Sequence, residues 1–501
     1  AQIRDAEAAA MRDVRDGELM QRAAYALAMK CLEVLRARRG RLSGAHVALL
    51  VGSGGNGGDA LYAGKFLSQR GIDVTALLVH PDKTYPGALA AFSAAGAHAV
   101  PLGRSRAEES AALIATADLV VDGLVGLRSG RALKLPDPVA GALAQHQGIV
   151  AVDVPSGVDV DTGAVADDAL RAAVTVTLGA LKCAHVIAPA ADYCGAVELV
   201  DIGLTDYLPT PDVQILTDLD IADAWPRPDA DGHKYSLGVV AIAAGSDRYP
   251  GAAVLCTGGA LRAKPGMVRY LGEPHAADRV IAAWPEAVVA SAMDSAGRTD
   301  AWVVGPGIGT DERGQELVDE ALQLDVSVLF DADALTVLSQ RDAPFADRSA
   351  PTVLTPHAGE FARLFGAVTD PLASARRAAE QTGAVVLLKG PSTVIASPDG
   401  TAYVNTTGTP KLATAGTGDV LSGIIGALLA AGLDPALAAA LGASRSRTNS
   451  RRSGMTRWTR AACTRPIARI ERASSPSSAR RWLTFCTKVV VEKASPLSKI
   501  S

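Results

Sequence analysis

A chain of 501 residues that is 48% apolar, 20% charged and 4% aromatic is too long for one ordinary domain, and its composition fits a soluble α/β protein. No run reaches the length of a membrane span, the N-terminus carries no apolar signal core, and the six cysteines show neither Cys-x-x-Cys nor zinc spacing, so reduced thiols in a cytoplasm are expected. The net charge of −4 is uneven: residues 444–501 hold 14 Lys+Arg against 2 Asp+Glu, leaving 35 against 51 in residues 1–443.

In chain order, residues 2–39 read as one or two helices, with Leu19, Met20, Ala23, Ala24, Leu27 and Ala28 at helical core spacing. The strand His46–Val51 leads into Gly-Ser-Gly-Gly-Asn-Gly-Gly-Asp59, a helix from Ala60 to Arg70, and a second strand over Ile72–Val79. This βαβ unit sets its glycine loop at the carboxyl edge of a parallel sheet, where ligands bind. Two further strands end in acids there, Leu119-Val-Val-Asp122 and Ile149-Val-Ala-Val-Asp153, the latter followed by Ser156. Any one of these aspartates also reads as a loop cap. As a set, Asn56, Asp59, Asp122, Asp153 and Ser156 converge on one crevice; oxygen-only donors suit a hard cation, and one carboxylate with neutral oxygens would suit a monovalent one.

Residues 208–232 are rich in Pro and Asp, a boundary signal. A second α/β series follows, with polar groups placed just after apolar strands at Gly245, Gly307, Asp331, His357 and Lys389. It leads to Asn405-Thr-Thr-Gly-Thr-Pro-Lys-Leu-Ala-Thr-Ala-Gly-Thr-Gly-Asp419 and the apolar helix from Val420. The amides and dipole at that helix start attract an anion. A carboxylate beside a phosphate is explained if Asp419 takes the proton from the group being phosphorylated; the bland reading is a helix N-cap.

The Gly-Thr-Gly-Asp419 loop resembles the anion hole of the ribokinase-like superfamily. The longer string from Asn405, with Gly408 and Lys411, resembles the ADP- or ATP-dependent NAD(P)H-hydrate dehydratases. Residues 10–205, with Gly17-Glu-Leu-Met20 and Thr177-Leu-Gly-Ala-Leu-Lys182, resemble NAD(P)H-hydrate epimerases. What the resemblance implies is an α/β protein: a Rossmann-like three-layer epimerase domain over 1–215, a ribokinase-like α/β/α dehydratase domain over 216–443, and a basic tail over 444–501. Its activities would be an isomerase and a lyase that restore hydrated NADH and NADPH. Asp419 and Asp153 would be catalytic. The epimerase substrate would be bordered by Gly55, Asn56, Gly57, Gly58, Asp59 and Asp153, and by Gly126, Leu127, Arg128, Ser129, Gly130, Arg131 and Ala132. Asn56, Asp122 and Ser156 would hold a potassium ion. In the second domain Ala253, Gly307, His357 and Asp419 would meet the hydrate, while Lys389, Gly390, Pro391, Ser392, Thr393 and Gly418 would hold ADP or ATP with its Mg2+.

The chain departs from the pattern at Gly55, where the family has a further asparagine, at Cys183, and at Arg262–Gly266. No nucleic-acid or membrane partner is expected, and the oligomeric state and the choice between ADP and ATP stay open. Two rival functions are a ribokinase-like kinase of a small hydroxymethyl heterocycle and a catalytically inactive binding module. After Ala443 the Arg/Ser/Thr-rich string reads as a basic arm, as disorder, or as a shifted reading frame. A shifted frame would remove the closing helices and leave Leu421, Ile424, Ile425 and Leu428 partly facing water.

Overall fold

The computed structural model describes residues 2–15, 17–125, 134–228, 231–408 and 412–452, with side chains of the last helix described as far as Arg445. Between Thr210 and Pro211 the chain divides into two units, each with its own sheet.

The first unit begins with helices α1 (Gln2–Ala10) and α2 (Glu18–Arg39). Leu19, Ala23, Ala24, Leu27 and Ala28 are buried on one stripe of α2 as their spacing requires. Met20 is only half-buried; its thioether end lies over Gly58. There follow β1 (His46–Val51), α3 (Gly55–Ser68), β2 (Asp73–Leu78), α4 (Pro86–Ala94), β3 (His98–Pro101), α5 (Ala107–Thr116) and β4 (Leu119–Gly123). The unit closes with α6 (Asp137–Gln145), β5 (Ile149–Val152), β6 (Val174–Leu178) and β7 (Ala196–Val200). All seven strands are parallel, in the order β3-β2-β1-β4-β5-β6-β7, which reverses direction between β1 and β4. Side chains alternate across β1: Val47, Leu49 and Val51 join the core under α2 and α3, whereas Ala48 and Leu50 join Ile114, Val139 and Leu143 on the other face. The sheet is therefore the middle of three layers.

One boundary differs from the sequence expectation. The glycine stretch is not all loop, because α3 starts at Gly55 and carries Asn56 to Asp59 on its first turn. A Cβ on Gly57 would stand 2.2 Å from the Gly52 carbonyl oxygen, so glycine is what lets this turn press against the end of β1.

The second unit opens with β8 (Val213–Gln214), α7 (Asp218–Ala224), β9 (Val239–Ala243), α8 (Pro250–Ala263), β10 (Met267–Leu271), α9 (Pro274–Ala283) and β11 (Val288–Ala290). Next come β12 (Ala301–Val304), α10 (Glu312–Leu322), β13 (Ser327–Phe330), α11 (Asp333–Leu338), β14 (Thr352–Leu354), α12 (Ala358–Phe365) and α13 (Pro371–Thr382). It ends with β15 (Val385–Leu388), β16 (Thr393–Ala396), β17 (Ala402–Asn405), α14 (Thr417–Ala430) and α15 (Pro435–Arg452). The ten strands run β11-β10-β9-β12-β13-β14-β15-β16-β17-β8, with β16 antiparallel to both its neighbours. Because β8 pairs with β17, the units part five residues ahead of the expected boundary at 215.

Helix α14 is the centre of the second core. A Cβ on Gly423 would lie 2.0 Å from the Cys256 carbonyl oxygen, so α8 and α14 touch backbone to backbone. The expectation that α14 lacks cover is overturned. Helix α15 runs straight through residue 443, and Ala436, Ala439, Ala440 and Leu441 join the core with α14. Leu421, Ile424, Ile425 and Leu428 are 8%, 3%, 0% and 1% exposed. The physical reason is that the last apolar stripe, Ala436 to Ala443, is already long enough to cover them. Residues 453–501, most of the basic tail, lie outside the described residues.

Candidate active sites

In the first unit the ends of β4 and β5 bring Asn56, Asp122 and Ser156 together. Ser156 N donates to Asp122 Oδ2 at 2.7 Å, and Ser156 Oγ donates to Asp122 Oδ1 at 2.6 Å. Asn56 Nδ2 donates to the Val125 and Val152 carbonyls at 3.1 and 2.7 Å. Burial pushes the Asp122 carboxyl up from the usual range, against the opposing pull of the Ser156 hydrogen bonds.

Beside this set stands a second cluster. Asp153, at φ 67 in the left-handed region, is ion-paired to Lys182, and both are buried. Thr177 Oγ1 and Leu178 N each donate to Asp153 Oδ1 at 3.1 Å, and the His185 ring meets the Asp153 carbonyl at 2.8 Å. Burial and the adjacent ammonium push His185 down to about 4, so its ring is neutral there. Asp59 is also buried, and its carboxyl lies well above the usual range, first from burial and then from the charges of Asp153 and Glu7. Glu7, on α1, is raised by burial and by Asp153. The sequence reading named Lys182 only inside a motif and missed Glu7 and His185; a single acid on an amphipathic helix carries no chemical signal of its own. The segment Gly126 to Ala132, expected to border the substrate, lies outside the described residues.

In the second unit a cleft of about 510 Å³ is walled by Tyr249, Ala252, Leu255, Gly307, Asp333 and Asp419, with Gly416 at its edge. Gly307 must be glycine: at φ 68 its Cβ would meet the Ala252 and Tyr249 Cβ atoms at 2.9 and 3.0 Å. Ala253, expected to meet the hydrate, follows Ala252 on α8, and Ala252 is the one that lines the cleft. Ala253 is fully buried with its methyl against Gly245, because α8 turns that face to the sheet and presents Ala252 instead.

Asp419 sits on the first turn of α14, which Gly416 caps at φ 86. Burial, reinforced by Asp331 and Asp333 and opposed by Lys389, pushes its carboxyl up to about 6. Lys389 Nζ donates to Asp331 Oδ1 at 2.7 Å, and Ser422 Oγ donates to Asp331 Oδ2 at 2.7 Å. A Cβ on Gly418 would stand 3.5 Å from Lys389 Nζ, so the two expected nucleotide contacts are neighbours. Gly390, Pro391 and Ser392 form the turn into β16, which starts at Thr393. His357 is exposed and caps α12: its Nδ1 accepts from Gly359 N at 3.0 Å and Glu360 N at 3.1 Å. Glu360 Oε2 lies 3.9 Å from Lys389 Nζ, which ties that cap to the same group of charges. Asp331 was expected only as a polar group at a strand end and was given no role, and Asp333, Glu360 and Ser422 were not among the expected site residues.

The arrangement can hold an anion at the start of α14, with a lysine beneath it and a proton acceptor beside it. A family model described as NAD(P)H-hydrate dehydratase matches residues 240–472, and one described as YjeF-related protein N-terminus matches residues 16–184. The bifunctional NAD(P)H-hydrate repair enzyme Nnr of Mycobacterium tuberculosis is 49% identical over 407 residues, 80% of this chain and 82% of that protein. Its counterpart in Mycobacterium leprae is 48% identical over 409 residues, 81% and 83% of the two chains. Among solved structures, the ADP/ATP-dependent NAD(P)H-hydrate dehydratase from Bacillus subtilis, co-crystallised with ATP/Mg2+, is 34% identical and covers 46% of this chain and 86% of its own, with a TM-score of 0.42. Near one-half identity along four-fifths of both chains, across both units, makes this chain a member of the bifunctional NAD(P)H-hydrate repair enzymes.

Proposed function

We propose that the chain repairs hydrated NADH and NADPH in two steps: the first unit interconverts the R and S hydrates, and the second dehydrates the S form at the expense of ADP or ATP. The observation that carries the second step is Asp419 on the opening turn of α14, at the wall of the cleft and next to Lys389. Asp419 accepts the proton of the hydrate hydroxyl as its oxygen attacks the terminal phosphorus of the nucleotide. The Gly416–Gly418 turn and Lys389 carry the charge that builds on the phosphoryl oxygens. Loss of phosphate with a proton from the neighbouring carbon then restores the ring double bond.

For the first unit, epimerisation needs a bond at the hydroxyl-bearing carbon to break and the same bond to re-form on the other face, with a proton leaving the hydrate and returning. We assign that exchange to Asp153, held in place by Lys182, with Asn56 to Asp59 along the substrate. A potassium ion suits Asn56, Asp122 and Ser156. Asp122 is a buried carboxylate with no cation beside it among the described residues, and its neighbours add neutral oxygens. The ion would supply the missing positive charge and fix these loops. Magnesium accompanies the nucleotide. The cytoplasm suits the buried, unlinked thiols of Cys31, Cys194 and Cys256, and no described helix is long and apolar enough to cross a membrane.

The test is incubation of the purified chain with mixed R and S hydrate, with and without each nucleotide. Both epimers should return to the absorbing reduced dinucleotide with ADP or ATP present, and should only interconvert without it. A stable phosphate ester as final product would instead make the second unit a small-molecule kinase, which the same geometry could serve.

A further inference from the structure

Asp331 follows β13 in the middle of the second sheet and is 1% exposed, too enclosed to touch a substrate. Groups from three places converge on its carboxylate. Lys389 Nζ, after β15, and Ala332 N donate to Oδ1 at 2.7 and 2.9 Å; Ser422 Oγ, on α14, donates to Oδ2 at 2.7 Å. Burying such a pair costs much of what its attraction returns, and apolar side chains of the same volume would join these elements at least as firmly. Holding the fold together is thus a poor account of it. Its place gives a better one. A Cβ on Gly418 would stand 3.5 Å from Lys389 Nζ and 3.7 Å from Asp331 Oδ2, so the pair lies beneath the turn assigned to phosphate and one residue from Asp419.

We propose that Asp331 is a positioning residue: it holds the Lys389 ammonium beneath the start of α14 and governs when Asp419 releases its proton. The inference rests on the dehydratase reading of this unit. Among the described residues, the charged and titratable groups facing Asp419 are Asp331 after β13, Asp333 at the start of α11, Lys389 after β15 and Cys256 from α8, and Arg248 and Tyr249 line the same cleft. Glu360 on α12 faces Lys389. Beyond the effect of burial, Asp331 is the largest of these influences keeping the proton on Asp419, and Lys389 opposes it.

The test uses the full chain and the pH dependence of kcat/KM for dehydration of the S hydrate, which reports the free enzyme's base. In Asp331→Asn a negative neighbour is gone and Lys389 loses its counter-charge, so the acid limb moves to lower pH. A weaker base also lowers the plateau, by about tenfold. In Lys389→Gln the Asp331 charge is unopposed, so the limb moves to higher pH. Opposite shifts are a signature that a purely structural pair would not give, and a melting transition of the second unit that matches the unmodified chain reports that each variant is folded. If Asp331→Asn does not fold, the double variant Asp331→Asn, Lys389→Gln leaves no unpaired charge buried, and its limb should lie below that of Lys389→Gln; a limb at the same pH overturns the role of Asp331. Dehydration with an unmoved limb in the folded variants overturns the role of Asp331 alone. Absence of dehydration in the unmodified chain overturns the reading of the unit, and this inference with it.

Discussion

Asp419→Asn isolates the proton acceptor we propose from everything around it, since the amide keeps the size of the side chain and cannot take the proton. With its carboxyl at about 6, Asp419 is roughly nine-tenths ionised at pH 7 and about one-tenth ionised at pH 5. Dehydration by the unmodified chain should therefore fall about tenfold between those values. Replacing the base should cost about 10²–10⁴-fold at pH 7 and should erase that acid limb, while epimerisation is untouched. The same shift fixes a sign for stability. Asp419 holds its proton more tightly in the folded chain than in the unfolded one, where its ordinary value is 3.8. Its contribution is complete below pH ~4 and is lost as pH rises through ~6, so at pH 7 the buried charge weighs against folding. Asp419→Asn should then melt at a higher temperature than the unmodified chain at pH 7, with the difference vanishing near pH 4. Absorbance recovery and a thermal melt read both effects. Near-normal dehydration by this variant, or an acid limb that survives the substitution, would refute the role given to Asp419.

Asp122→Ala should weaken epimerisation, with added potassium restoring part of the rate; a rate indifferent to potassium in the unmodified protein would remove the ion from the site. Lys182→Met strands the buried Asp153 carboxylate, and loss of one partner from such a pair costs about 3–5 kcal/mol, so urea unfolding of the first unit should shift while dehydration persists. Leu441→Ala empties a fully buried position of α15 and should lower the stability of the second unit by about 2–5 kcal/mol. If dehydratase activity then survives heating as well as in the unmodified chain, α15 is not the cover that its packing indicates.

Local rules made much of this chain legible from its residues. Alternating apolar strands and glycine-punctuated turns announced two α/β units, acids at strand ends singled out Asp122 and Asp153, and the glycine loop before an apolar helix singled out Asp419, because side-chain period and turn chemistry are properties of neighbouring residues. Only the tertiary structure could decide what depends on groups far apart in sequence. Asp331 and Lys389 are 58 positions apart, and Asp153 and Lys182 are 29 apart. Neither pairing exists until the sheet order brings the strand ends together. Helix faces were settled the same way: Ala252 and Ala253 are equivalent by composition, and packing of α8 on the sheet sends one to the cleft and the other to the core. The cover over α14 was misjudged for a related reason. A change in composition after Ala443 is visible in the sequence, but whether the short apolar stripe before it suffices depends on how closely α15 can approach. A Cβ on Gly442 would lie 2.5 Å from the Ile425 side chain, and a contact that close is set by three-dimensional packing.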